Sequence, residues 1–425
     1  MRILIVTSHF AGENQNAWLL DDLAIALADA GDEVDVLVHD TKHGRPRGRN
    51  PYQDGRIRLF SVGPTKIRQG RVGKFMNHVV AGWGLHTLGF QLARRTRYDL
   101  CIYTSIGIFS WGLPTRLRRV GLVRRSVFVL WDFFPIHQIE IGRIARKALH
   151  APLRAIEALS MNRADAIAVM SPANERFLRE YHADVRADAI VVPPWASDPL
   201  PTSVVTVPRR ERFTVVFGGQ LVAGRGLDTL LYAAKRLQDQ MLAIDLLVVG
   251  DGPERANLLA LAERIRLINV TFLRTLPREE YRRLLQTAHI GVAITVPGVT
   301  PPTFPSKIVE YCASGIPLVV CVEAASDAGT IVENAGAGLA VAAGDEPNLA
   351  TAIAALYQEH LDGVLESRAG KARALFLARL SVSRAADTIR AVAVSALPTR
   401  TQSISTSALK PARDEQSTHQ RSDAV

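Results

Sequence analysis

The sequence predicts an α/β protein made of two Rossmann-like, doubly wound domains that face each other across a cleft, and three observations carry that expectation. Short apolar runs alternate with segments of helical periodicity twice over, first from Arg2 and again from Phe213, as parallel sheets with crossover helices require. A proline-rich run without glycine, Val192 to Pro208, separates the two series and reads as a linker. A length of 425 residues suits two domains, each large enough for its own core.

The first series opens as strand, helix, strand over Arg2 to Thr7, Trp18 to Ala30 and Val34 to Val38. Thr41 to Pro51 is basic and rich in Gly and Pro, so it is expected to be a mobile loop. Leu100 to Tyr103 and Val127 to Leu130 read as further strands. Ile139 to Arg163 is expected to be a long helix interrupted at Pro152. A strand over Ala166 to Met170, a helix over Pro172 to Tyr181 capped by Ser171, and a strand over Ala189 to Val192 close the half. The second series alternates strands at Phe213, Ile244, Val270, Ile290 and Leu318 with helices beginning at Leu227, Arg255 and Arg278. Past Gly338 to Val341 the chain reads as helical to about Val394. The expected division is therefore 1–195, a linker 196–211, 212–378, a helix 379–396 returning to the first domain, and a disordered tail 397–425.

Composition excludes wholesale disorder, with 48% hydrophobic residues and a mean hydropathy of +0.08. Cys101, Cys312 and Cys321 lie in apolar sequence without metal-ligand spacing, which predicts reduced, buried thiols and a cytoplasmic protein. The N-terminal apolar run is too short for a signal peptide. The net charge of +10 is unevenly spread: Thr41 to Arg154 holds 22 Lys and Arg against four acids, a balance of +18, leaving about −8 elsewhere. A basic face on one half implies an anionic partner such as phosphates, anionic lipid or nucleic acid. Phe75 to Ala93 is uncharged and flanked by cations, but its polar residues and glycines make a poor spanning segment. A helix lying on an anionic membrane surface and an ordinary core helix both fit it.

The stretch richest in chemistry is Pro305-Ser306-Lys307-Ile308-Val309-Glu310-Tyr311, ended by Gly315-Ile316-Pro317. Ser306 is placed to cap a short helix and free its N–H groups for an anion, while Lys307 and Glu310 share one helical face. Two glycine-rich strand ends accompany it. Gly218-Gly219-Gln220-Leu221-Val222-Ala223-Gly224-Arg225-Gly226 lets a backbone approach a pyrophosphate, with Arg225 able to pair with it. Val249-Gly250-Asp251-Gly252-Pro253-Glu254 ends the next strand in the same manner. Asp132 and His137, in Trp131-Asp132-Phe133-Phe134-Pro135-Ile136-His137, follow a strand and are candidates for acting on an acceptor hydroxyl. His9, Gly12 and Glu13 in the loop after the first strand are further acceptor-side candidates.

Together and in this order the three second-half segments, with the Phe272-Leu273 strand, resemble the retaining glycosyltransferases of family 4, built on the GT-B fold. The first half resembles surface-polysaccharide members more loosely, through its Trp-Asp-x-x-Pro segment and Ala164-Asp165-Ala166-Ile167. Two departures stand out: Pro302 holds the place of the first carboxylate of a frequent Glu-x7-Glu motif, and Gln220 replaces the usual Arg, although Arg225 stands where Lys is common. The resemblance implies a nucleoside-diphosphate sugar, with UDP as the family's prior, held by Gly219, Gln220, Arg225, Gly250, Leu273, Ser306, Lys307 and Glu310. Lys307 is expected near the phosphates and Glu310 on the ribose hydroxyls; Arg225 and Lys307, with Asp132 and His137, form the expected catalytic set.

The expected function is transfer of a sugar to a lipid-linked or glycan acceptor in envelope or exopolysaccharide synthesis, on the inner face of the plasma membrane. No Asp-x-Asp pair stands at a strand end, so neither metal nor other cofactor is expected. An epimerase of GT-B architecture is the alternative enzyme; it would need acid/base carboxylates around the sugar. A polyanion-binding protein is the alternative of another class, although no nucleic-acid motif with interleaved aromatics is present, and nucleic acid is not an expected partner.

Overall fold

The computed structural model describes residues 1–10, 19–41, 48–49, 55–64, 66–104, 112–140, 144, 147–199 and 209–395. The first domain runs β1 (Arg2–Thr7), α1 (Leu19–Asp29), β2 (Glu33–His39), β3 (Gly48–Arg49), β4 (Ile57–Val62), α2 (Gly70–Arg95), β5 (Tyr98–Thr104) and α3 (Gly112–Arg119). It continues with β6 (Val123–Leu130), α4 (Ile136–Glu140), α5 (His150–Met161), β7 (Ala166–Val169), α6 (Pro172–Tyr181) and β8 (Asp188–Val191). Its sheet has the order β3-β4-β2-β1-β5-β6-β7-β8 and is parallel except for β3 against β4.

The second domain runs β9 (Phe213–Gly218), α7 (Leu227–Asp239), β10 (Ile244–Val249), α8 (Arg255–Arg264), β11 (Val270–Leu273), α9 (Arg278–Thr287) and β12 (Ile290–Ile294). α10 (Lys307–Ala313), β13 (Leu318–Val322), α11 (Ala328–Asn334), β14 (Gly338–Ala342), α12 (Glu346–Leu361) and α13 (Leu365–Leu375) follow. Its parallel sheet has the order β11-β10-β9-β12-β13-β14. Every residue of β9, β12 and β13 is buried, as strands covered on both faces must be. After a π-helical turn at Phe376–Leu380, α14 (Val382–Val394) packs Ala386, Ile389 and Ala393 into the first domain's core with Leu23 and Leu27.

Two expected Rossmann-like sheets are present, and each reverses its direction of growth beside its first strand, at β1/β5 and β9/β12. Ligands of such sheets bind beyond the carboxyl ends of the strands at that switch point. Several expectations are corrected. The helix expected over Ile139 to Arg163 is two elements, α4 and α5, and Pro152 sits in the first turn of α5, where a missing N–H breaks no helical bond. β4 is an additional strand, whose apolar run is broken by Arg58 and Ser61 and held by pairing with β2. α11 is an additional helix. The helical stretch after β14 breaks at Asp362 to Val364 and again at Ser381. Most of the loop expected over Thr41 to Pro51, and all of the tail from Leu397, lie outside the described residues.

The uncharged run Phe75 to Ala93 belongs to the longer α2, with Ala81, Leu85 and Ala93 buried. Among the described residues no helix is long and apolar enough to cross a membrane. All three cysteines are buried and free.

Candidate active site

The carboxyl ends of β9, β10 and β11 are stitched together backbone to backbone. Gly219 N–H donates to Val249 O at 2.9 Å, Gly250 N–H to Leu273 O at 3.0 Å, and Leu221 N–H to Asp251 O at 2.9 Å. The approach is so close that a Cβ on Gly250, whose φ is +150°, would lie 1.9 Å from Gly219 O. Glycine is required there on both conformational and steric grounds. Arg255 locks the turns from below, donating to Gly250 O and Leu273 O at 3.2 Å each. Gly219 and Gln220 are exposed above them, with Arg225 on the open loop before α7.

Lys307 occupies the space that Gly219 leaves: a Cβ at Gly219 would come within 2.9 Å of Lys307 Cε. Its Nζ lies 4.8 Å from the centroid of the Phe217 ring. Among the described residues the ammonium has no carboxylate partner. Burial, followed by the like charge of Arg225, pulls its pKa down to about 7. Among the described residues neither Lys307 nor Arg225 has an internal counter-ion, and two such cations at a sheet's switch point suit a polyanion.

Glu310 does not stand free. Its Oε1 accepts from Arg278 Nη2 at 3.3 Å, and its Oε2 lies 3.5 Å from Arg282 Nε. Glu310 Oε2 is nonetheless buried without a hydrogen-bond partner. The expected capping by Ser306 is corrected: its backbone is already helical, its side chain makes no cap bond, and it is exposed. Ile308 N–H and Val309 N–H turn back on Pro305 O and Ser306 O at 3.1 Å each, so α10 offers fewer free donors than its sequence suggested. Lys307 and Glu310 both lie in the first turn of α10 as expected, anchored by Tyr311. Tyr311 Oη accepts from Gly218 N–H at 3.2 Å and donates to Val292 O at 3.3 Å.

Pro302 is buried beneath the first domain, its carbonyl accepting from Asn174 Nδ2 at 2.8 Å. A carboxylate that the motif does not mark, Glu323, bears on the same loop. It accepts from Thr295 Oγ1 and Thr303 N–H at 2.7 Å each and so holds the loop that leads into α10. Asp327 Oδ2 accepts from Ala173 N–H at 2.8 Å, a second tie between the domains.

On the first domain, Asp132 is exposed and His137 half-buried on α4, and neither is in contact with Lys307 or Glu310. Their loop is fixed from beneath. Phe134 N–H donates to Glu157 Oε1 at 2.7 Å, and His182 Nε2 lies 2.8 Å from Glu157 Oε2. Burial raises the Glu157 pKa, and the bonds to His182 and Phe134 oppose the rise. α4 reaches the second domain through Glu140 Oε2, which accepts from Thr300 N–H at 3.0 Å. His9 is exposed just beyond β1; Gly12 and Glu13 lie outside the described residues. Asp165 is a structural clamp, accepting from Ser126 N–H and Oγ at 2.8 and 3.1 Å.

Arg278, Arg282, Phe217, Tyr281 and Glu323 were missed from sequence. Tyr281 is packed so tightly against Gly218 that a Cβ there would meet its hydroxyl. The one available signal for the arginines was the i, i+4 spacing of Arg278 and Arg282 on α9. Among the described residues no group of three His, Cys, Asp or Glu is placed to hold a metal ion.

Comparison with known proteins identifies the family and the fold. Residues 18–195 match the family model of the glycosyl transferase 4-like domain, and residues 212–359 match that of glycosyl transferases group 1. Between them the two models span most of the chain, which is therefore a glycosyltransferase of GT-B fold. A sucrose-phosphate synthase from Thermosynechococcus elongatus superposes with a TM-score of 0.70 at 19% identity, over 92% of this chain and 98% of that one. An α,α-trehalose 6-phosphate synthase from Burkholderia multivorans gives 0.68 at 17% identity, over 92% and 97%. Alr3699/HepE from Anabaena, solved in complex with UDP, gives 0.64 at 17% identity, over 92% and 99%. At such identities the structures speak for the fold alone. A search of curated protein sequences finds no match. The family matches decide for glycosyl transfer over the epimerase and polyanion-binding alternatives.

Proposed function

We propose that the protein is a retaining, metal-independent hexosyltransferase that takes its sugar from a UDP-sugar and delivers it to a lipid-linked or glycan acceptor in envelope or exopolysaccharide synthesis. The observation that carries the reading is the uncompensated Lys307–Arg225 pair, held over the turns of β9 and β10. A diphosphate leaving group gains charge as the glycosidic bond breaks, and two cations at the ends of the strands stabilise that charge most in the transition state. Glu310 Oε2 is the acceptor for a ribose hydroxyl. In this reading Asp132 and His137 orient the acceptor hydroxyl.

The experiment is a thermal-shift panel of nucleotides and nucleotide sugars, followed by product analysis. A donor present at a hundred times its dissociation constant should stabilise the protein by about 2.7 kcal/mol. Acceptor arms should contrast polyprenyl-diphosphate sugars with free sugar phosphates, because a trehalose-phosphate synthase of similar fold has been solved in complex with glucose-6-phosphate. Protection by no nucleotide sugar would remove the reading.

The membrane part rests on α2, which displays Val72, Met76 and Trp83 at 77%, 38% and 75% exposure along one face, with Phe75 beside them at 56%. Arg94 continues that face, and the Arg116 guanidinium sits 5.3 Å from the Phe90 ring centroid at its end. Apolar side chains flanked by cations suit an anionic bilayer surface at the cytoplasmic leaflet. The protein is expected to float with phosphatidylglycerol liposomes but not with zwitterionic ones, and Trp83→Glu should abolish flotation while donor binding persists. Equal behaviour of the two liposome types would refute peripheral docking.

A further inference from the structure

Arg278, on α9 of the second domain, reaches across to α1 of the first. Its Nη1 and Nη2 donate to Asp22 Oδ1 and Oδ2 at 2.8 and 2.6 Å, a forked pair that a lysine cannot reproduce. The same Nη2 donates to Glu310 Oε1 at 3.3 Å. The segment connecting the domains joins the cluster: Ser197 N–H donates to Asp22 Oδ2 at 3.2 Å, and Arg282 Nη2 donates to Ser197 O and Oγ at 3.1 and 2.9 Å. Asp22 and Arg282 are almost wholly buried, at 4% and 7% side-chain exposure. Burial alone would pull the Arg278 pKa down, but the Asp22 and Glu310 carboxylates outweigh it and leave that pKa raised.

The two ends of this network differ. At Asp22 both oxygens are filled, by Arg278 and Ser197. At the other end Glu310 Oε2 and Arg282 Nε are buried and lack hydrogen-bond partners although they lie 3.5 Å apart. A buried oxygen left unsatisfied is where an incoming hydroxyl gains most, because its desolvation has already been incurred. The unsatisfied end lies at the start of α10, in the turn that also carries Lys307, and the satisfied end is the contact between domains.

We propose that Arg278 is a positioning residue that couples docking of the two domains to occupation of Glu310 by a donor hydroxyl; the proposal rests on the nucleotide-sugar reading above. A hydroxyl donating to the Glu310 carboxylate, whose side chain is 24% exposed, fixes it against Arg278 and keeps the Arg278 fork on Asp22. By linkage the effect runs both ways, so a first domain held through Asp22 presents Glu310 correctly to the donor. Asp22, in the other domain, thereby contributes to donor affinity.

The test uses the full chain as wild type, Asp22→Asn, Arg278→Lys and the double variant. Donor KM and kcat, UDP affinity by calorimetry, thermal stability, and small-angle scattering with and without UDP are the measurements. Asp22→Asn is expected to raise donor KM and weaken UDP binding about tenfold, within the range usual for coupled sites, with a smaller change in kcat. Its ligand-free particle should be larger than wild type and should contract on adding UDP. Arg278→Lys should behave alike, and the double variant should be no worse than the stronger single one. Donor KM and UDP affinity unchanged in Asp22→Asn, with only the melting temperature lowered, would reduce the contact to a structural one and overturn the proposal. If wild type binds no nucleotide at all, the donor reading fails by itself; the ligand-free scattering still judges the link, and an unchanged radius in Asp22→Asn overturns it.

Discussion

Lys307→Ala is expected to lower kcat about a hundredfold, and the contribution it removes should depend on pH. A preorganised charge on a leaving group is worth roughly 2 to 4 kcal/mol of barrier. The unusual feature of Lys307 is its poise. Burial and then Arg225 bring its pKa from 10.5 to about 7, so without ligand the ammonium is about half titrated at neutral pH. A bound diphosphate favours the charged form and draws a proton onto Nζ. Donor binding at pH 8 should therefore take up close to one proton, and binding well below pH 7 almost none. Calorimetry in two buffers of different ionisation enthalpy reads that number directly. Equal heats in both buffers at pH 8 would make Lys307 an ordinary surface cation.

The sign for stability follows from the same shift. Between about pH 7 and 10.5 the unfolded chain holds the Lys307 proton and the folded chain does not. Stability without ligand therefore gains with rising pH across that window, and below it the penalty of the buried charge is fully present. Lys307→Met should flatten this part of the pH–stability curve. The variant is expected to fold, since the methionine stem can keep the packing against Phe217.

His182→Ala is expected to destabilise the protein by about 3 to 5 kcal/mol, read as a lowered urea midpoint. The imidazole and the Glu157 carboxylate are 0% and 4% exposed, and removing the ring strands the carboxylate in the first domain's interior. Because burial already raises the Glu157 pKa, the stranded group should take up a proton, and the loss should shrink as pH falls. Glu157→Gln keeps an acceptor for Phe134 N–H and a donor toward His182, so it should cost less than Glu157→Ala. The functional consequence follows from the tether at Phe134, which holds the loop carrying Asp132 and His137. Loosening that loop should lower transfer to the acceptor while donor affinity stays near wild type. A parallel loss of donor binding would place the loop's role elsewhere.

The features legible in the sequence share a physical basis. Continuous apolar runs in β9, β12 and β13 mark strands buried on both faces, and the glycines at 219 and 250 mark close backbone approach. β4 escaped because Arg58 and Ser61 interrupt its apolar run and its place depends on pairing with β2. Ser306 misled because a capping residue type was taken for a cap, whereas its backbone had already entered the helix. The α5 boundary misled because proline is tolerated in a first turn.

The sequence by itself determined two doubly wound sheets, the glycine turns at the strand ends, and Lys307 with Glu310 at the start of α10. These depend on periodicity and on backbone conformation, which are local. The tertiary structure alone decided which charges are compensated. Arg278 and Asp22, 256 positions apart, form one pair in which Asp22 is buried and Arg278 partly so; Glu310 is shared by two arginines; Lys307 is left to Arg225 and an aromatic ring. Desolvation and pairing depend on what the folded chain brings within a few ångströms, and spacing along the sequence carries no record of that.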